Sequence, residues 1–184
     1  MIHASIFRHT IKVAILLNVL FWLISSLFWL GTTFLKRKFK DEAIEVTFDC
    51  QDEADIEMDE EAMESSADGD DDDEGPEAEY GINFEVKITK PSGDMMVVVC
   101  TASQKLEVTS VRYIPTGKDP TDQDLYNGPV FDHLDDKLQD AFYAYLSDRN
   151  IDEDLCYFIL SYSRDKEQKE YQNWLQKLLT FSEK

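Results

Sequence analysis

Acidic side chains are the first candidates for chemistry in this chain, and a histidine beside them is the second. Asp132, Asp135, Asp136 and Asp140 fall close together in YNGPVFDHLDDKLQDAFYAYLSDRNI, and a pair of carboxylates can share general acid and general base work. The residues between them argue otherwise. Phe131, Leu134, Leu138, Phe142 and Tyr145 recur at steps of three or four residues and predict an amphipathic helix. Its opposite face carries Asp132, Asp135, Asp136, Lys137 and Asp140, so these carboxylates read as a solvated stripe. His3 and His9 lie near the N-terminus, which leaves His133 alone in the remaining sequence, and a lone histidine on a helix face is usually solvated or packed. No G-x-G-x-x-G, P-loop, G-x-S-x-G or H-E-x-x-H pattern occurs. The expectation is a protein that is not an enzyme and takes no cofactor.

Metal chemistry fares no better. Asp70, Asp72 and Glu74 before Gly75 imitate the start of an EF-hand loop, but the position that needs a bidentate Glu holds Gly81. Cys50, Cys100 and Cys156 are odd in number, far apart and in no C-x-x-C arrangement, so they read as reduced, buried thiols.

Charge is sorted by region. From Asp41 to Val86 there are twenty-one Asp or Glu and no Lys or Arg, and this segment supplies most of the net charge of −20. Such a field repels nucleic acid phosphates, excludes direct binding to duplex DNA, and attracts basic proteins. The stretch from Asp52 to Glu79 has almost no large apolar residue, so it cannot offset its ordering entropy and is expected to be a disordered acidic loop. Within it Asp52, Glu53, Glu60, Glu61, Asp70, Asp71, Asp72, Asp73 and Glu74 are the candidate electrostatic binding residues.

The elements that position these charges follow from periodicity. Residues 34 to 39 and 43 to 48, with Ile44, Val46 and Phe48 alternating against Glu45 and Thr47, predict a hairpin around Lys40 to Glu42. Strands are expected at Ile82–Lys90, Met95–Thr101 and Leu106–Ile114, with turn chemistry at Pro91 to Asp94. After Asn127-Gly128-Pro129 the period becomes helical. A series at Leu155, Phe158, Ile159 and Tyr162 and another at Tyr171, Trp174, Leu175, Leu178 and Leu179 complete the chain. Phe131, Leu134, Leu138, Phe142, Tyr171, Trp174, Leu175 and Leu178 are expected in the core or at a subunit interface. Strands first and helices last argue an α+β class.

Residues 1 to 33 stand apart as a hydrophobic leader or anchor. Val13 to Leu30 is free of charge, flanked by Arg8 and Lys12 and then by Lys36, Arg37, Lys38 and Lys40, and eighteen residues at about 1.5 Å each just span a bilayer. A signal anchor, a cleaved signal and a transit peptide compete as readings, and the anchor fits the residues best.

The whole resembles the mitochondrial acidic matrix protein family, also called the mitochondrial glycoprotein family, whose animal member binds the globular heads of a complement component. The resemblance is carried by INFEVKITKP, MMVVVCTAS, YNGPVFDHLDDKLQDAFYAYLSDRNI and KEQKEYQNWLQKLLTF, with EAIEVTFD before the acidic loop, so it covers residues 34 to 184 and is most similar to the plant branch. It implies a twisted antiparallel sheet flanked by helices, assembled as a homotrimer with one acidic face. It also implies a multi-ligand, chaperone-like binding protein of the mitochondrial matrix that engages basic proteins, among them mitochondrial ribosomal or respiratory assembly factors, and supports mitochondrial translation and oxidative phosphorylation. The alternative is a membrane-anchored acidic interaction module held by Val13 to Leu30. At its start the chain departs from the family, because a hydrophobic segment stands where members carry a first amphipathic helix.

Overall fold

The computed structural model describes residues 23–26, 32–54, 80–122 and 124–183. Its centre is a six-stranded antiparallel meander in the order of the sequence: β1 (Leu23–Ser26), β2 (Thr32–Phe39), β3 (Glu42–Glu53), β4 (Ile82–Thr89), β5 (Met95–Ala102) and β6 (Leu106–Ile114). A 3-10 turn (Phe131–His133) and two helices follow, α1 (Asp136–Ser147) and α2 (Glu153–Ser182).

Alternation decides the faces. Along β3 the residues Ile44, Val46, Phe48 and Cys50 are buried, and their ladder partners Ile88, Val86 and Phe84 on β4 are buried with them. Side chains two apart share a sheet face, so these rows form one apolar surface. Onto it pack Phe131, Leu146, Ile151, Leu155, Cys156 and Ile159 from the turn, the helices and their connection. The opposite face carries Lys36, Glu45, Lys87, Glu85 and Arg112, joined across strands by ion pairs such as Lys36–Glu45 at 2.6 Å and Arg112–Glu85 at 3.3 Å. A sheet with one packed and one wet face is what antiparallel strands with a period of two produce.

Several boundaries differ from the sequence expectation. The 39–42 hairpin closes through Lys40 and Asp41, with Lys40 in the left-handed region at φ 55. β3 continues through Glu53, so Asp52 and Glu53 are strand residues at the edge of the expected loop. Leu23–Ser26, inside the apolar stretch 13–30, pairs antiparallel with β2; the rest of that stretch lies outside the described residues. Among the described residues no helix is long and apolar enough to cross a membrane.

The helical series also divides differently. Phe131 sits in the 3-10 turn, Leu134 turns extended at ψ 156, and α1 begins only at Asp136 because the Asp135 carboxylate accepts a hydrogen bond from the Lys137 amide at 3.1 Å. That is an N-cap, and Asp136 in the first turn complements the helix dipole. Two of the candidate catalytic carboxylates therefore serve the start of a helix. The series at Leu155 and at Tyr171, in contrast, join into one helix of 30 residues, about 45 Å long.

Candidate partner-binding surface

The register of the sheet brings the acidic chemistry to one end. Glu53 pairs with Ile82, Ile82 with Ala102 and Ala102 with Leu106, so the points where the acidic segment leaves and rejoins the sheet align with the start of β6. At the usual strand spacing Glu53 and Leu106 are about 14 Å apart. The Ala54 amide donates to the Gly81 carbonyl at 3.0 Å and closes the base of that segment. Asp52 and Glu53 are exposed there, and Asp52 accepts from the Asn83 amide at 3.2 Å. Glu60, Glu61 and Asp70 to Glu74 lie outside the described residues.

At the same end a cleft of about 1050 Å³ opens between the first residues of β6, the side of α1 and the N-terminus of α2. Glu107, Asp132, Asp152, Glu153 and Asp154 line it, against a single cation among the described residues, Lys105, which is itself 3.6 Å from Glu107. The local sequence explains the arrangement. Asp152 caps α2 by accepting from the Leu155 amide at 3.3 Å, and Glu153 and Asp154 occupy the first turn, where the helix dipole favours anions. Burial pushes the Asp152 carboxyl above its usual range, and neighbouring Asp154 and Glu153 push it the same way. A cation entering the cleft would relieve that repulsion. Tyr143 forms part of the wall, with its hydroxyl 3.4 Å from the Val108 amide.

Sequence reasoning placed Asp132 here only as a surface residue and missed Glu107, Asp152, Glu153 and Asp154. The signal was present in Asp-Glu-Asp just before an apolar helical series, which marks a helix start. Asp140 and His133 are exposed, and neither joins a constellation of reacting groups among the described residues.

The candidate packing residues scatter. Phe131 is buried and packs edge-on against Phe142 and Tyr143, while Leu134 and Phe142 are half-buried against the core. Leu138 is 45% exposed, and on the distal part of α2 Tyr171, Trp174, Leu175 and Leu178 are exposed as well, Trp174 by 54%. These four do not belong to the core of the chain. The three cysteines are free and buried, and burial pushes the Cys156 thiol up to about 12, so it stays protonated and unreactive at neutral pH.

Comparison with known proteins agrees with this geometry. A family model described as MAM33, mitochondrial glycoprotein, matches residues 31–182. A mitochondrial acidic protein, mam33, of Schizosaccharomyces pombe is 52% identical over 56 residues, covering 30% of this chain and 21% of the relative. An uncharacterised mitochondrial protein of Arabidopsis thaliana is 30% identical over 110 residues, covering 59% of this chain and 44% of the relative. The chain thus spans less than half the length of these two curated relatives. Among solved structures, a Leishmania major protein described as a sequence homologue of human p32 superposes with a TM-score of 0.66 at 23% identity, covering 87% of this chain and 81% of that one. The p22 protein of Trypanosoma brucei superposes with a TM-score of 0.67 at 20% identity, covering 96% and 98%. With its family model matched from β2 to the end of α2, this chain is an acidic member of the MAM33 mitochondrial glycoprotein family.

Proposed function

We propose that this chain is a binding protein of the mitochondrial matrix whose acidic sheet end receives basic proteins. One observation carries the reading: the cleft of five carboxylates and a single lysine opens at the same end of the sheet from which the acidic segment emerges. Negative potential from the cleft and from an acidic segment attached at the same end of the sheet steers cations toward the molecule and raises the association rate more than the final affinity. Basic ribosomal proteins and respiratory assembly factors of the mitochondrion have the chemistry this surface fits, and holding them in solution is a chaperone-like service to translation and oxidative phosphorylation. The exposed stripe Tyr171, Trp174, Leu175 and Leu178 supports association of copies into a homotrimer, since an apolar stripe of that kind is normally covered.

The test is binding of a basic ribosomal protein to the full chain over a salt series. Exposed charges are screened over ~8 Å at physiological ionic strength, so affinity should fall steeply as salt rises. Neutralising Asp70 to Glu74 should weaken it further at low salt. Binding that is indifferent to both salt and these substitutions would refute the reading.

A further inference from the structure

The end of the sheet opposite the acidic cleft has a different surface. There Met95, Met96, Leu138, Ala141, Phe142 and Tyr145 enclose an open groove of about 350 Å³ between β5 and α1. The ladder sets its floor, since Ile88, Met96 and Tyr113 are partners in one row across β4, β5 and β6. Methionine side chains suit such a surface because their unbranched, polarizable thioethers re-pack around differently shaped apolar groups.

Two charges stand at the lip, and they differ. Lys90, with its side chain 47% exposed, is ion-paired with Glu42 and lies over the Tyr145 ring, so its charge is balanced by a carboxylate. Among the described residues Asp94 makes no ion pair. One of its carboxylate oxygens accepts from the Thr116 amide at 3.0 Å and the Thr116 hydroxyl at 2.9 Å, and the other accepts from the Ser92 hydroxyl at 2.7 Å. These neutral donors fix the carboxylate in place and hold it ionised, below its usual range. An apolar groove with a fixed anion at its mouth that is in no ion pair among the described residues complements an apolar side chain flanked by a cation.

Resting on the binding of basic proteins argued above, we infer that this groove anchors one apolar side chain of a cationic amphipathic peptide segment, with a neighbouring Lys or Arg of that segment set against Asp94. The acidic end of the sheet then supplies attraction, and the groove supplies the part of the affinity that salt does not screen. An anionic amphiphile such as a fatty carboxylate fits the apolar walls equally but meets Asp94 at the mouth.

The experiment uses the full chain and two peptides of equal length and charge, one of alternating Leu and Lys blocks and one with Ser in place of Leu. Binding is followed by fluorescence anisotropy and by the methyl resonances of Met95 and Met96. At low salt both peptides should bind. At ~0.5 M salt, where screening acts within about 5 Å, only the Leu/Lys peptide should remain bound, and it alone should shift both methyl resonances. Ala141→Trp fills the groove from an exposed position on α1 and should weaken the Leu/Lys peptide about tenfold, the loss of roughly one buried apolar contact, while leaving the Ser/Lys peptide unchanged. Asp94→Asn should weaken the Leu/Lys peptide without displacing it from the methionines. If the peptides behave alike at every salt concentration and Ala141→Trp affects neither, the groove has no such role and the acidic reading stands. If neither peptide binds at low salt, the acidic reading fails as well. Methyl shifts caused by laurate but not by the Leu/Lys peptide would assign the groove to an anionic amphiphile and overturn the inference.

Discussion

Carboxylates do opposite things at Glu42 and in the acidic cleft. Glu42 is 5% exposed and Arg149 is 7% exposed. Their side chains meet in a bidentate pair, Nε to Oε2 at 2.8 Å and Nη2 to Oε1 at 3.0 Å. Lys90 adds a second cation, and the guanidinium also donates to the Tyr145 carbonyl at 2.7 Å and stacks over the Tyr145 ring. This cluster ties the β2–β3 hairpin to the connection between α1 and α2. In the cleft the proportion is reversed, with five carboxylates to one lysine among the described residues, and Glu153 and Asp154 are exposed while Asp152 is half-buried. Buried charge that is satisfied from all sides is there to hold the fold, whereas a cluster in which like charges outnumber the opposite ones projects a net negative field that a cationic partner can use.

The sharpest way to break that contrast is Arg149→Met. It leaves Glu42 buried with Lys90 as its remaining cation, and removing one member of a buried pair costs on the order of 3 to 5 kcal/mol, to be read as a fall in midpoint in urea. The same cluster has a pH signature. Hydrogen bonds from Arg149 chiefly, against the opposing effect of burial, hold the Glu42 carboxyl below its ordinary value of 4.5. Because the folded value is depressed, the stabilisation is complete above 4.5 and is lost as pH falls below it through the folded value. The difference in melting temperature between wild type and Glu42→Gln should therefore be widest at neutral pH and close in acid. A gap that widens in acid would contradict the assignment.

Gly128→Ala comes next. Gly128 has φ 80, and a Cβ there would lie 2.4 Å from the Val111 carbonyl oxygen, so the chain crosses β6 at a place only glycine fits. A cost of about 1 to 3 kcal/mol is expected in the same assay. Trp174→Ala should do much less to the unfolding of a single chain, within about 0.5 kcal/mol, because the ring is 54% exposed and stacks on its helix neighbour Tyr171. Its effect should appear in sedimentation instead, as dissociation of the assembled copies. If the parent sediments as a monomer, or the substitution unfolds the chain without changing its association, the distal part of α2 is not a subunit contact.

How much of this was legible depends on whether a residue's neighbours are near in sequence. Strands such as β3 and β4 were readable because each announces its own face: Ile44, Val46 and Phe48 alternate with Glu45 and Thr47 whatever else the chain does; β1 was not, because Leu23–Ser26 lies inside an unbroken apolar stretch that reads as an anchor. Helix starts were readable in principle from Asp135 and Asp152, both of which cap. The continuity of α2 was not, because Arg164 to Glu170 interrupts the apolar period with charge. There Lys166 replaces an apolar contact, donating to the Thr32 carbonyl at 3.2 Å and the Thr33 hydroxyl at 3.3 Å. The Glu42–Arg149 pair had no local signal at all, its members being 107 positions apart. Periodicity also names the apolar face of a helix without saying what covers it. Ile159 and Trp174 belong to the same helix, yet Ile159 is buried on the sheet and Trp174 is not.

Neutralising the cleft should disturb the fold little, since Glu153 and Asp154 each gain only about 0.3 to 1 kcal/mol from the helix dipole and repel one another. It is also the most direct test of the central claim. A triple variant, Asp132→Asn with Glu153→Gln and Asp154→Asn, should be compared with a control that removes the same charge from the loop beyond the far end of β6, Asp119→Asn with Asp122→Asn and Asp124→Asn. Titration of a lysine-rich peptide at ~0.05 M salt, where screening reaches about 14 Å, should show a severalfold loss of affinity for the cleft variant and little for the control. Equal losses in the two variants would mean that net charge alone attracts the peptide and that the acidic end of the sheet is not a site.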